Sequence, residues 1–407
     1  MDETKANDAH KITKKKDSKP QDTVGSSYPE DYQIIDGELW TARQRQMSSL
    51  HEISYRACFK AELPEYFITR YAAEQDVVYD PFAGRGTTAV QAALMGRRFI
   101  ANDINPLMQI LARPRVEPPT LRAVELRLEE IDLTSGAEPE ADEPDLSVFY
   151  NQHTLEELRS LRRYLDYRRR SGLEDALDEW IRMVATNRLT GHSKGFFSVY
   201  TLPPNQAVTS ERQKMINERY HNDFGIYRNV KSIILKKSKA LLKEIPHPWP
   251  GKGGVFLNQD AANTYAIEDS TVNLIITSPP FLDTVQYRND NWLRCWFNHI
   301  DTAAVAARMT NLHSLEQWAK VMTEVFLEFK RIMVPGAYGA FEVGEVRGGK
   351  IELDKTVFEI IREVGLIPQA TYINRQQFTK TANIWGVANN LGGTNSNRIV
   401  VFRKGIE

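Results

Sequence analysis

Cysteine is almost missing from this chain: Cys58 and Cys295 are the two in 407 residues, far apart and outside any CxxC spacing. A disulfide framework is thereby excluded, a zinc site has no sequence support, and a reducing cytoplasm suits the composition. Long apolar runs are missing as well, since no stretch reaches the roughly eighteen residues that a membrane span needs. The opening stretch, Met1 to Ser27, is polar and lysine-rich without an apolar centre, so it does not read as a signal peptide. Residues 1–28 read as a disordered tail, whose Lys14, Lys15 and Lys16 are either solvated or set against phosphates. Net charge is also lacking, at −1, so no global basic field announces nucleic acid. Any nucleic-acid face has to come from local segregation of charge. Repeats of fixed period are absent too.

What is present is enough apolar material, 42% of residues, for a substantial core. The length predicts either two domains or one large α/β domain carrying an insertion. A helix is expected from Leu63, with Pro64 in the first turn, where a missing N–H does little harm. Asp76 to Asp80 reads as a buried strand, Thr87 to Met95 as a helix capped by Gly96, and Arg98 to Asp103 as a second strand. Strand, turn, helix and strand within about thirty residues make the βαβ unit of a doubly wound sheet. Residues 120–250 break this alternation. An acidic loop, Ser135 to Asp145, leads into a helix with Leu155, Leu158, Leu161 and Leu165 on one face and Arg159 to Arg170 on the rest. Ser210-Glu211-Arg212-Gln213 is expected as a capping box, and Lys231 to Lys239 load a further helix. Between 151 and 250 there are 18 Lys and Arg against 11 Asp and Glu, so this mostly helical insertion is the locally basic part of the chain. The α/β pattern resumes with strands at Val255 to Leu257 and Val272 to Ile276. A helix from Leu315 to Met333, closed by Pro335-Gly336, and strands at Tyr338 to Val343, Ile367 to Ile373 and Arg398 to Phe402 complete it.

Two stretches carry chemistry. In the first, Asp80-Pro81-Phe82-Ala83-Gly84-Arg85-Gly86-Thr87-Thr88-Ala89, the glycines let the backbone turn sharply and approach a ligand without a Cβ in the way. Asp103 follows Gly84 by 19 residues, at a second strand end, where an acidic group can accept from ribose hydroxyls. This spacing alone suits a dinucleotide as well as S-adenosylmethionine. In the second, Ile275-Ile276-Thr277-Ser278-Pro279-Pro280-Phe281, a buried strand runs into a polar residue, two prolines and an aromatic ring. The prolines fix φ and remove two donors, leaving a stiff corner whose carbonyls face outward. An amino group conjugated to a base ring is a poor nucleophile unless acceptors meet its hydrogens. Ser278 Oγ and the Pro279 carbonyl are placed to do so, and Phe281 to stack on the base. A base inside a duplex is out of reach of such a corner, so it has to be flipped out.

Both stretches resemble the DNA amino-methyltransferases, whose motifs read Asp-Pro-Phe-x-Gly-x-Gly-Thr-Thr and (Asp/Asn/Ser)-Pro-Pro-(Tyr/Phe). The resemblance covers roughly residues 50–115 and 254–403. It implies an α/β, Rossmann-like doubly wound methyltransferase sheet in two pieces, 29–119 and 251–407, around an insertion, 120–250, that serves target recognition. It also implies S-adenosylmethionine as cofactor, with Asp80, Phe82, Ala83, Gly84, Gly86, Thr87 and Thr88 around the methionine part and Asp103 with Ile104 at the ribose. Asp260-Ala261 is implied at the adenine, and Phe59, from a segment similar to Tyr-Pro-Ala-x-Phe in which Arg56 replaces the proline, over the methionine end. Ser278, Pro279, Pro280 and Phe281 are implied as catalytic. Ser-Pro-Pro is commoner among the cytosine-N4 enzymes, so the resemblance implies a site-specific N4 enzyme. Adenine N6 and RNA amino groups are the alternatives. Cytosine-C5 chemistry needs a cysteine nucleophile after a proline, and neither cysteine follows one.

The motif order resembles the alpha-type arrangement, except that the insertion falls before Asp260 rather than just before Ser278. The implied partners are double-stranded DNA and a cognate restriction endonuclease, in the cytoplasm, without metal or membrane. Within the insertion, Arg159 to Arg170, Lys231 to Lys239 and Phe196 to Gln206 are candidates for phosphate and base contact or plain solvated surface. Asp283, Gln286 and Tyr287 line the base pocket or start a helix, and the loops at Asn374-Arg375 and Asn389 to Asn397 contact DNA or solvent. Glu342 and Glu345 lie at a strand end and carry no assigned chemistry.

Overall fold

The computed structural model describes residues 32–37, 47–56, 58–134, 138–140, 143–201, 207–280, 287–309, 314–346, 351–375 and 396–406. In chain order the described elements begin with β1 (Gln33–Gly37), α1 (Glu62–Tyr71), β2 (Val77–Asp80), α2 (Thr87–Leu94), β3 (Arg98–Asn102) and α3 (Leu107–Val116). Five helices come next: α4 (Leu121–Glu130), α5 (Gln152–Arg170), α6 (Ala176–Arg188), α7 (Ser210–Tyr220) and α8 (Val230–Leu241). The chain then returns to strands with β4 (Gly254–Leu257) and β5 (Val272–Thr277), followed by α9 (Tyr287–Phe297), α10 (Thr302–Arg308) and α11 (Leu315–Ile332). It closes with β6 (Met333–Val346), β7 (Ile351–Glu352), α12 (Leu353–Glu363), β8 (Ile367–Arg375) and β9 (Ser396–Arg403).

The strands form one sheet in the order β4-β3-β2-β5-β6-β9-β8-β1, with β7 pairing on β6. Pairs among β4, β3, β2, β5 and β6 are parallel, and β9 runs antiparallel between β6 and β8. The α/β sheet expected from the sequence is therefore present. From β2 the chain winds outward through β3 to β4, and from β5 it winds the other way. The point where the order reverses lies between β2 and β5, and the crevice at such a point is where open α/β sheets hold ligands. The strand β5 reads as a nearly unbroken apolar run because both of its faces are covered. On one side α11 buries Trp318, Met322, Val325, Phe326 and Phe329, a stripe at helical spacing, and each such side chain contributes about 1.5–3 kcal/mol by leaving water.

Helices α4, α5, α6 and α8 share a hydrophobic cluster with α1, α2 and α3. The leucine face of α5 is buried there as its spacing predicts. Five of its six arginines pair with carboxylates, while Arg163 is exposed. Arg159 pairs with Glu143 and Arg162 with Glu140, both from the acidic loop, Arg168 with Asp175 and Asp178, Arg169 with Glu174, and Arg170 with Asp166. The loop thus neutralises the part of the helix at Arg159 and Arg162.

Two local expectations are corrected. Thr209, not Ser210, caps α7, its hydroxyl accepting from the Arg212 N–H, while Gln213 turns to the Tyr200 carbonyl and Asn217. Pro335-Gly336 does not close α11. The helix ends at Ile332, the chain passes directly into β6, and the pair sits at an irregularity in the β5–β6 register, with Gly336 at φ 81°. Proline is tolerated in a strand at such a place because no ladder donor is required there.

Candidate active site

Five parallel strands end at one edge of the sheet, and the edge is fastened together by side chains. Asp80 closes β2 almost fully buried. Its Oδ1 accepts from the Phe82 N–H at 3.2 Å and from the Thr277 hydroxyl at 2.6 Å, which ties the end of β5 to the end of β2. Its Oδ2 is buried and, among the described residues, meets no hydrogen-bond donor. Burial pushes the Asp80 carboxyl up to about 7, opposed by hydrogen bonds from the Thr277 and Thr88 hydroxyls and the Phe82 N–H and helped by the nearby Asp103 charge. After β3, Asp103 accepts from the Gly84 N–H at 2.8 Å on one oxygen and from the Asn105 N–H at 2.9 Å on the other, and burial raises it to about 6. Asn102 donates to the carbonyls of Pro81 and Gln259, and Asn258 donates to the Asp103 carbonyl, so the ends of β2, β3 and β4 are locked. This brings Ile104, Asp260 and Ala261 to the same edge. Asp260 is exposed there, accepting from the Ala262 N–H, and Ala261 is buried.

The glycine turn has the geometry that its residues demand. Gly84 and Gly86 have φ of 55° and 80°, and a Cβ on Gly86 would lie 2.3 Å from the Ala112 Cβ of α3. Gly86 caps α2, and Thr87 and Thr88 are buried in its first turn, the Thr88 hydroxyl reaching the Ile276 carbonyl. Arg85, between the glycines, reaches back to the carbonyls of His51, Ile53 and Phe59 and to Thr87 Oγ1. Buried Arg115 holds the carbonyls of Leu50 and Arg85 in turn. The segment before α1 is thus fastened over the turn, with the Tyr55 ring 3.6 Å from the position of a Gly84 Cβ. Phe59 itself is packed in the hydrophobic core. Arg56, the departure from the resembled motif, forms an ion pair with buried Asp290 of α9 at 2.8 Å.

At the end of β5, Ser278 is half-buried and Pro279 buried, and the Pro280 carbonyl accepts from the indole N–H of Trp318 at 3.0 Å. Trp318, fully buried in α11, braces the corner and escaped sequence reasoning, since a tryptophan on an apolar stripe reads as core. Phe281, Asp283 and Gln286 lie outside the described residues. Glu342, given no role from the sequence, is buried one rung beyond the Thr277–Phe341 register pair, and the Ser278 hydroxyl hydrogen-bonds to it. Asn397 of β9 donates to Glu342 Oε1 at 2.6 Å, and Asn374 of β8, buried, is the register partner of Asn397. Burial pushes the Glu342 carboxyl up to about 7, opposed by the hydrogen bonds from Ser278 and Asn397. Asp80, Asp103 and Glu342 are therefore three carboxyls of raised pKa along one sheet edge, the kind of concentration that marks functional sites.

Residues 2–112 match the N6/N4 methyltransferase family, described as DNA methylase. Among curated proteins, the chain is 22% identical over 339 residues to the type II methyltransferase M.BsoBI of Geobacillus stearothermophilus, covering 74% of this chain and 64% of that one. It is 35% identical over 75 residues to the type II methyltransferase M.MjaII of Methanocaldococcus jannaschii, covering 18% of this chain and 14% of that one. The chain thus spans less than two thirds of the length of these relatives. A solved SAM-dependent methyltransferase from Methanosarcina mazei aligns with 84% of this chain and 98% of its own, at 10% identity and a TM-score of 0.34.

Proposed function

We propose that this chain transfers the methyl group of S-adenosylmethionine to an exocyclic amino group of a base in double-stranded DNA, the N4 amino group of cytosine. The observation that carries the reading is the Ser278-Pro279-Pro280 corner at the end of β5, joined through Thr277 to buried Asp80 at the sheet's reversal point. The family match over residues 2–112 and the type II methyltransferase relatives support it.

The residues present fit the cofactor. Asp80 Oδ2 is a buried acceptor with no donor on it among the described residues, beside a turn whose glycines leave room for close backbone approach, and a cationic group placed there would offset the cost of burying that carboxylate. Asp80 with Phe82, Ala83, Gly84, Gly86, Thr87 and Thr88 holds the methionine part, and Asp103 and Ile104 the ribose. Asp260 and Ala261 hold the adenine, and Phe59 backs the pocket under the segment that Arg85 fastens. Bound S-adenosylmethionine supplies a methyl group activated on sulfonium sulfur. Ser278 Oγ and the Pro279 carbonyl accept from the hydrogens of the flipped base's amino group, turning the nitrogen lone pair out of the ring. Phe281 stacks on the base, and the proline corner, braced by Trp318, keeps this geometry rigid. Serine in the first position of the motif is the feature that favours N4 over N6.

The test is to incubate the purified chain with tritiated S-adenosylmethionine and unmethylated genomic DNA, then identify the labelled nucleoside by mass spectrometry. N4-methylcytosine is the expected product. N6-methyladenine would keep the mechanism and reverse the base, and label entering RNA but not DNA would overturn the reading.

A further inference from the structure

Glu342 is a carboxyl without an assigned task, sealed into the sheet between buried Phe341 and Val343. Thr277 and Phe341 are register partners on neighbouring parallel strands, so Ser278 and Glu342 are the next rung, and side chains of a rung leave the sheet on the same face. That face carries Leu274, Ile276 and Ala340 and is covered by the segment that Arg85 fastens over the glycine turn. Among the described residues the carboxyl has two hydrogen-bond partners, the Ser278 hydroxyl and the Asn397 amide. Among the described residues the Cys58 thiol, from the covering segment, is a titratable group raised in part by its charge. A buried carboxylate is costly unless its hydrogen bonds do something in return. Here one of its two bonds orients the hydroxyl at the corner.

We propose that Glu342 is a positioning residue for Ser278 and the terminus of the proton's path, receiving through the Ser278 hydroxyl the proton that the substrate amino group loses on methylation. The inference rests on the amino-methyltransferase reading above. The balance is simple. The amino nitrogen forms its bond to the methyl carbon as the carbon–sulfur bond breaks with its electron pair left on sulfur. The nitrogen, now positively charged, gives one proton to Ser278 Oγ, and the Ser278 proton moves to Glu342. Turnover is completed when Glu342 returns the proton to water. Donating its own hydrogen to Glu342 also leaves both lone pairs of Ser278 Oγ for the base, the orientation in which it accepts. Asn397 keeps the carboxylate from rotating away.

The test compares wild type, Glu342→Gln and Glu342→Asp by steady-state methyl transfer from pH 5.5 to 9, by cofactor and DNA binding, and by thermal melting of the cofactor-free protein. Glutamine is expected to lower kcat about a hundredfold or more, a typical contribution for a positioned proton acceptor. It should leave cofactor and DNA affinities within about threefold of wild type, consistent with loss of a group that acts on the chemical step. The acid limb of the wild-type profile, centred near 7, should vanish in Glu342→Gln and return, shifted, in Glu342→Asp with part of the rate.

In melting, a carboxyl raised to about 7 from its ordinary 4.5 stabilises the native state most below about 4.5. That contribution is lost as pH rises through about 7, so wild type should lose stability relative to Glu342→Gln over this window. An unchanged acid limb, a rate loss matched by lost cofactor affinity, or parallel melting curves would overturn the inference while leaving the methyltransferase reading intact. Wild-type protein that methylates no nucleic acid would instead sink the reading on which it rests.

Discussion

The two flanks of the reversal point hold their carboxyls in different ways. On the β2–β3 side, Asp103 has both oxygens met by main-chain N–H groups, and Asp80 has one oxygen met by an N–H and a hydroxyl. On the β5–β6 side, Glu342 is held, among the described residues, by the Asn397 amide and by the Ser278 hydroxyl, which can rotate and pass on a proton. Main-chain donors are fixed by the fold and make a pre-set cradle for a ligand. A hydroxyl between a carboxyl and the crevice makes a path for a proton. On the function proposed above, the difference divides the edge into a flank that would bind and a flank that would react, with the Thr277–Asp80 bond joining them.

The largest expected effect falls on the reacting flank. Ser278→Ala removes the acceptor and the path together, and the methyl-transfer rate should drop about 10²–10³-fold, the usual loss for one positioned group at a reacting atom. A rate within tenfold of wild type, measured in single turnover, would remove Ser278 from the chemistry and erase the comparison.

A smaller effect belongs to the binding flank. The Asp80 carboxyl sits near 7 and must be ionised to receive a cationic ligand, so cofactor affinity should rise with pH through that value. About a tenfold gain between pH 6 and 8 is expected by calorimetry, and a flat profile would mean that Asp80 does not meet the cofactor's charge.

The smallest effect is expected outside both flanks. Arg159→Gln with Arg162→Gln should change DNA affinity and its salt slope by less than about twofold, because these guanidiniums are already paired with Glu143 and Glu140. A reduced slope would return α5 to the DNA face.

The conformation of the β2–α2 turn was largely legible in the sequence because its signals are local. Asp80 to Ala89 carries strand end, glycine turn and helix start in ten consecutive residues, and each took the conformation that its residue types require. The Ser278-Pro279-Pro280 corner was legible for the same reason. What escaped was long-range pairing. Glu342 meets Ser278 across 64 positions of sequence, and nothing local separates it from an ordinary strand-end acid. Arg85 reads as the free residue of a glycine motif until its hydrogen bonds to residues 51–59 are seen. The arginines of α5 read from sequence as phosphate contacts or solvated surface, and the pairing of Arg159 and Arg162 with Glu143 and Glu140 of the acidic loop could not be read locally. The shift of the α7 cap by one residue has a similar origin: the Ser210 hydroxyl is taken by the Asp145 carbonyl, leaving Thr209 to accept from the helix.

The division of the edge is tested most directly by titrating S-adenosylmethionine into wild type, Asp80→Asn and Ser278→Ala side by side in a calorimeter. Asp80→Asn should lose affinity by about tenfold or more, as expected for removing a buried charged partner, while Ser278→Ala binds as wild type does. Equal losses in both variants, or a loss confined to Ser278→Ala, would contradict the account.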